Sequence, residues 1–179
     1  MSSKRSICVY CGSKNGHDVT LLNTAFDVGK QLALSGYNII YGGANVGLMG
    51  HVANGALEAK GSVIGIMPKV IFDFEVSHNH LTELITVDSM HERKLKMMEM
   101  SDAFIALPGG FGTHDELNEI ITWRQIKLHD KPIAILNHNG YYDHFILFLK
   151  TCVKTGLISQ EHIDMLIVER TIEEILARL

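Results

Sequence analysis

Nine residues, Pro108-Gly-Gly-Phe-Gly-Thr-His-Asp-Glu116, combine a means of holding an anion with a carboxylate placed beside it. The glycines let the backbone close on a ligand. The free amides of a helix N-terminus and the helix dipole together attract negative charge, so a phosphate is the expected guest. Glu116 falls about one turn into the predicted helix, near that anion but of the wrong sign to bind it. A carboxylate there points to chemistry, or to recognition of sugar hydroxyls next to the phosphate. The same letters admit a plainer reading. Thr113-x-x-Glu116 is the spacing of a capping box, in which the glutamate only satisfies the Thr113 amide.

The flanking elements are those that would present such a loop. An apolar run at 103–107 has the length and uniformity of a buried parallel strand, and residues 113–127 read as a helix. Upstream, strand 6–11 ends in Cys11-Gly12-Ser13, and helix 19–35 follows, closed by Gly36. Strand 37–41 runs into a second glycine loop, Gly42 to Gly50, which opens a helix through Lys60. Strand 62–67, an irregular or weakly helical stretch 68–81 and strand 84–87 come next. Asp88 or Ser89 caps helix 90–101, with Ser89-x-x-Glu92 as a further capping box. After the motif helix come strand 132–136, a turn at 137–140, helix 142–154, strand 165–168 and a last helix 171–179. Strands alternating with helices at this spacing predict an α/β fold: one doubly wound, mostly parallel, Rossmann-like sheet with helices on both faces, in a single domain spanning 1–179. Ligands of such sheets bind beyond the carboxyl ends of the strands, where all three candidate loops lie. They are expected to line one cleft.

Composition narrows the classes of ligand. The chain has 179 residues, 46% of them hydrophobic and 20% charged, with a net charge of −4. That is ordinary for a globular domain and lacks the basic excess of a nucleic-acid or membrane-surface binder. Neither a signal-type N-terminus nor a membrane-length apolar run is present, so a cytoplasmic protein is expected. The three cysteines, Cys8, Cys11 and Cys152, form no disulfide framework. Cys8-Val-Tyr-Cys11 has redox or zinc spacing but sits on a strand with no second pair, and the ten histidines show no helical i, i+4 pairing, so no metal is expected. A dinucleotide would require G-x-G-x-x-G after the first strand, where one glycine stands. A P-loop would require a lysine where Leu48 follows Gly47. A mononucleotide or sugar phosphate remains.

Met90-His-Glu-Arg93-Lys94 opens the helix before the motif strand, and Met90, Arg93, Met97 and Met100 form one stripe on it. An arginine within a methionine stripe either snorkels from a core face or reaches into a pocket. The helix's first turn projects from the same end of the sheet as Glu116, so the two side chains are expected to meet across the cleft.

Taken together, Cys11-Gly-Ser13, Tyr41-Gly-Gly to Gly47-Leu-Met-Gly50, Met90-His-Glu-Arg-Lys94 and Pro108-Gly-Gly-x-Gly-Thr-x-x-Glu116 resemble the LONELY GUY (LOG) family. Those proteins are cytokinin riboside 5′-monophosphate phosphoribohydrolases, long labelled lysine decarboxylases. Trp123, His129-Asp-Lys-Pro132 and Asn139-Gly-Tyr-Tyr-Asp143 extend the likeness over nearly the whole chain. The resemblance implies a homodimeric hydrolase, without a cofactor, that splits a nucleoside 5′-monophosphate into free base and ribose 5-phosphate. It places the catalytic pair on Arg93 and Glu116. Binding of phosphate and substrate is carried to Gly110, Phe111, Gly112, Thr113, His114 and Asp115, and to Lys94, Thr122 and Glu75. Ser13, Gly43 and Met90 complete the candidate contacts from the other two loops and the head of the arginine helix. His114 stands where leucine is common in the family, and Lys14 where serine is. A non-catalytic nucleotide sensor or carrier is the alternative, although a pure binder needs no carboxylate beside a phosphate. A decarboxylase would need a lysine in a pyridoxal-phosphate setting, and none is recognisable.

Overall fold

The computed structural model describes residues 5–71 and 77–179. Seven strands form one parallel sheet: β1 (Ser6–Tyr10), β2 (Asn38–Tyr41), β3 (Val63–Pro68), β4 (Glu83–Val87), β5 (Ala103–Ala106), β6 (Ile133–Leu136) and β7 (Leu166–Glu169). Their spatial order is β4-β3-β2-β1-β5-β6-β7. The chain thus winds outward from the central β1 to one edge, returns across the sheet to β5, and winds outward to the other edge. The reversal falls between β1 and β5, paired in register from Ile7 with Ala103 to Tyr10 with Ala106. In doubly wound sheets that switch point opens a crevice at the carboxyl ends of the strands.

Helices α1 (Val19–Leu34), α2 (Gly47–Glu58) and α7 (Ile172–Leu176) cover one face of the sheet. Helices α3 (Met90–Glu99), α4 (Phe111–Gln125) and α5 (Asp143–Lys154) cover the other. Strand β1 shows why both faces are apolar. Ile7 and Val9 pack into the α1/α2 core, while Cys8 and Tyr10 pack into the α3/α4 core. Period-two alternation in an all-apolar strand fills two cores at once. Cys8 and Cys11, three residues apart, therefore lie on opposite faces as free thiols. Among the described residues no group of histidine, cysteine and carboxylate side chains could hold a metal, and no helix is long and apolar enough to cross a membrane.

The predicted elements are recovered with small shifts and one addition. A short helix α6 (Gln160–Asp164), capped by Ser159, precedes β7 and was not anticipated. Residues 68–81, expected to be irregular or weakly helical, contain a 3-10 turn at Lys69–Ile71 and a bridge from Ser77 to Ala44. Ser89 rather than Asp88 caps α3, accepting from the Glu92 amide at 3.1 Å, while the Glu92 carboxylate reaches back to the Asp88 amide.

The shift that bears on the cleft concerns the motif helix. It starts at Phe111 with Gly110 as its N-cap, two residues before the predicted start at Thr113. Thr113 is therefore inside the first turn, and the capping box read from Thr113-x-x-Glu116 is not how this helix begins.

Candidate active site

The three glycine loops meet at the switch point. The Gly12 amide donates to the Pro108 carbonyl at 3.1 Å, and the Gly12 carbonyl accepts from the Met49 amide at 3.3 Å. The end of β1 thereby ties the α4 loop to the start of α2. Between them opens a cleft of about 500 Å³, a volume suited to a nucleotide-sized ligand.

Helix α4 supplies one wall. Pro108 to Thr113 line the cleft, and the amides of the first helical turn have no acceptor within their own helix. Gly110 and Gly112 face open space, leaving room for a ligand against the backbone. Gly109 serves the opposite purpose, because a Cβ there would stand 2.0 Å from Thr113 Oγ1. Its lack of a side chain lets buried Thr113 fold under the loop. The Tyr141 hydroxyl then donates to the Gly109 carbonyl at 2.7 Å, and the buried Tyr142 hydroxyl to Leu107 O at 2.6 Å. Two tyrosines from the end of β6 thus fix the peptide planes entering the helix.

Glu116 follows Gly112 by four residues, on the same stripe of α4. It is half-buried and lines the cleft. At 1.5 Å per residue, its Cα lies about 5–8 Å along the axis from the first-turn amides. That is the reach of one ribose from its 5′-phosphate to its anomeric carbon. Thr113, Leu117 and Ile120 form the buried stripe beside it and set the rotation of the helix.

Arg93 forms part of the opposite wall. It is 6% exposed, with Nε donating to Ile66 O at 3.0 Å and Nη2 to Gly42 O at 3.1 Å. A third nitrogen, Nη1, lies 3.9 Å from Met90 Sδ. The guanidinium is thus seated on the carbonyls at the ends of β2 and β3. Gly42 must be glycine for this, since a Cβ would stand 2.1 Å from Nη2. The alternatives of a snorkelling and a pocket-facing arginine resolve into one buried cation on the cleft wall. Cys11 forms the floor between the two walls. Burial, and then the negative charge of Glu116, push its thiol well above the ordinary range, while Arg93 acts in the opposite direction. Cys11 is a neutral lining group beside both residues.

The remaining predicted contacts divide. Ser13, Met90, Phe111 and Asp115 line the cleft with Glu116, Arg93 and the glycines. Lys94 does not. It is 12% exposed and bridges Asp115 and Glu119, each at 3.0 Å, locking α3 to α4. Burial opposes its charge, but the bonds from Glu119 and Asp115 outweigh that and raise its pKa. The His114 ring packs against Tyr142 and Phe145 and is turned from the cleft. Thr122 is exposed, with its hydroxyl bonded to Asn118 O. Gly43 lies behind the wall, its carbonyl accepting from the His78 amide at 3.0 Å. Glu75 lies outside the described residues. Sequence reasoning overlooked Tyr141 as a lining residue, although a tyrosine pair just beyond the carboxyl end of a strand is a signal that could have found it. Cys11, expected in one of the three loops that line the cleft, does line it.

The family model described as "possible lysine decarboxylase" matches residues 49–179. The chain is 41% identical over 175 residues to the cytokinin riboside 5′-monophosphate phosphoribohydrolase LOG of Oryza sativa subsp. japonica, covering 98% of this chain and 72% of that protein. It is 44% identical over 161 residues to an Arabidopsis thaliana protein of the same description, covering 89% and 71%. Among solved structures, the molybdenum cofactor carrier protein of Chlamydomonas reinhardtii superposes with a TM-score of 0.73 at 22% identity over 98% of this chain and 95% of that one. A molybdenum cofactor binding protein from Rippkaea orientalis superposes equally well at 23% identity, over 99% and 96%. At that identity the likeness is one of fold.

Proposed function

The chain belongs to the LONELY GUY family of cytokinin riboside 5′-monophosphate phosphoribohydrolases, and on that premise we propose how its cleft hydrolyses a purine nucleoside 5′-monophosphate to free base and ribose 5-phosphate. It is an enzyme, and its bond of attack is the N-glycosidic one. The observation that carries the residue assignment is that Glu116, Arg93 and the first turn of α4 line one cleft.

The first-turn amides of α4 and the dipole behind them anchor the 5′-phosphate. That contact, remote from the scissile bond, holds the sugar in register with the carboxylate and lowers the entropic part of the barrier. Breaking a ribosyl C–N bond develops positive charge on the anomeric carbon and ring oxygen, as in glycoside hydrolysis. Glu116 stabilises that charge and takes the proton of the attacking water. Arg93, held rigid by two backbone carbonyls, supplies a fixed positive potential on the side where the departing base accumulates electrons. Apolar lining from Leu48, Met49 and Met90 receives the face of the base.

The decarboxylase description attached to the family model needs an available lysine in a cofactor site. Lys94 is tied in two ion pairs, and Lys14, which lines the cleft, is exposed rather than set in the apolar pocket that activates a Schiff-base lysine. A homodimer is proposed as the working assembly. The layer of α3, α4 and α5 carries exposed apolar side chains, Leu95 of α3, Ile126 and Leu128 after α4, and Leu147 and Phe148 of α5, and is the layer proposed to pair with a second copy. A cytoplasmic location is inferred from the free thiols and the nucleotide substrate.

The test is Glu116→Gln, which keeps size and polarity but removes the base. Base release from AMP or N6-isopentenyl-AMP should fall by about 10²–10⁴ while the variant still binds nucleotide. An unchanged rate would remove Glu116 from the chemistry.

A further inference from the structure

The anchoring scheme above leaves a charge imbalance. A 5′-phosphate at neutral pH brings close to two negative charges into the cleft, and the α4 amides offer only partial positive charge. The full charges lining the cleft are Lys14, Arg93, Asp115 and Glu116. Asp115 is paired with Lys94, and Glu116 is negative. Arg93 is buried and held on two carbonyls at the ends of β2 and β3. Lys14 differs from all three. It is exposed, lines the cleft, and makes no ion pair among the described residues.

Its backbone is also well placed. Residues 12–14 lie between the two helix N-termini. Gly12 is bonded to Pro108 O on the α4 side and to the Met49 amide on the α2 side. A Cβ on Gly47 would stand 2.3 Å from the Ser13 carbonyl carbon and 2.5 Å from the Lys14 amide nitrogen, so this loop rests directly on the first residue of α2. The lysine stem therefore springs from a fixed point beside the α4 nest, while four flexible bonds let the ammonium reach a bound anion.

We propose that Lys14 is a specificity-determining residue of the phosphate subsite: its ammonium neutralises the substrate's 5′-phosphate and sets the preference for phosphorylated over unphosphorylated nucleosides. The inference rests on the phosphoribohydrolase reading for its substrate, and on the loop's position for its mechanism. Because Lys14 touches a group that does not change during the reaction, it contributes equally to ground state and transition state. It therefore acts on KM and leaves kcat alone. A partly exposed, charge-assisted contact of this kind corresponds to roughly five- to twentyfold in affinity, and it weakens as salt screens it.

The experiment compares the wild type, Lys14→Ala and Lys14→Arg in three readouts: kcat and KM for AMP, inhibition by inorganic phosphate, and the salt dependence of both. Lys14→Ala is expected to raise KM for AMP and the inhibition constant of phosphate together by five- to twentyfold. Its kcat stays within twofold, its salt dependence flattens, and Lys14→Arg remains near wild type. Constants within twofold of wild type and an unchanged salt slope would show a solvated surface lysine and overturn the proposal. So would a fall in kcat at constant KM, which would place Lys14 in the chemical step. If the wild type releases no base from any nucleotide, the hydrolase reading fails by itself. Calorimetric binding of inorganic phosphate to the wild type and Lys14→Ala then decides the role of Lys14 on the same criterion.

Discussion

Arg93 is assigned to the chemistry, yet its geometry makes it a structural residue as well, and the two roles separate in Arg93→Met. Methionine keeps the stem length and apolar packing along the Met90–Met97 stripe and removes every donor. Two backbone carbonyls lose their partner, Ile66 O at 3.0 Å and Gly42 O at 3.1 Å. A hydrogen bond involving a charged group contributes about 1.5–3 kcal/mol, and a buried acceptor left unpaired costs about 1–3 kcal/mol. Gly42 lines the cleft, so water can replace the lost donor there, whereas Ile66 is fully buried. Losing the desolvation cost of the buried cation offsets part of the loss. The net expectation is a destabilisation of about 2–4 kcal/mol, or roughly 5–15 °C in Tm for a domain of this size. Thermal and urea unfolding of Arg93→Met beside wild type measure it, with base release assayed well below the variant's Tm so that the folded fraction is known. A Tm within 2 °C of wild type would refute the claim that the guanidinium holds the ends of β2 and β3 together. Activity restored to wild type per folded molecule would remove Arg93 from catalysis while leaving its structural role.

Two further outcomes follow from the loops around the cleft. Tyr141→Phe removes the donor to Gly109 O and loosens the turn before α4; KM for AMP should rise about three- to tenfold with kcat within twofold, since the contact is exposed and acts through the phosphate nest. An unchanged KM would show that Gly109 is fixed without it. His78, buried beside α2, donates from Nε2 to Asn54 Oδ1 and accepts at Nδ1 from the His80 amide, so its neutral form is the one accommodated; burial and then the neighbouring His80 lower its pKa below the usual 6.5. Between 6.5 and the lowered value the unfolded chain binds more protons than the folded one, so stability is full above about pH 6.5 and declines as pH falls through that window. Tm measured from pH 7.5 to 5.0 should drop at the acid end, and less steeply in His78→Gln; identical slopes would show that other groups dominate.

The sheet, the strand ends and the convergence of three loops were legible because buried parallel strands and glycine turns are local signals. The start of α4 was not. Thr113 and Glu116 have capping-box spacing, but Gly109 admits the Thr113 side chain beneath the loop, and the helix gains two residues by starting at Phe111. Tertiary packing overrode a local rule, and the result turned Glu116 from a cap into a lining residue. Helix α6 escaped notice because five residues carry too little periodicity to register. The family resemblance carried ligand contacts to Lys94 and His114, but a motif's position along a chain does not fix the direction of a side chain. Lys94 turned to two carboxylates across the helix pair, and His114 turned to the aromatic rings of Tyr142 and Phe145. Tyr141, read only as part of a family motif, owes its place to the register of β6 beside β5.

The central claim is that the cleft at the β1/β5 switch point cuts the sugar from the base and leaves the phosphate ester intact. Its most direct measurement is product stoichiometry. The purified chain is incubated with AMP, and free adenine, ribose 5-phosphate, adenosine and inorganic phosphate are quantified together. Adenine and ribose 5-phosphate should appear in equal amounts, with neither adenosine nor phosphate accumulating. Release of adenosine with inorganic phosphate, or nucleotide recovered bound and uncleaved, would contradict the account.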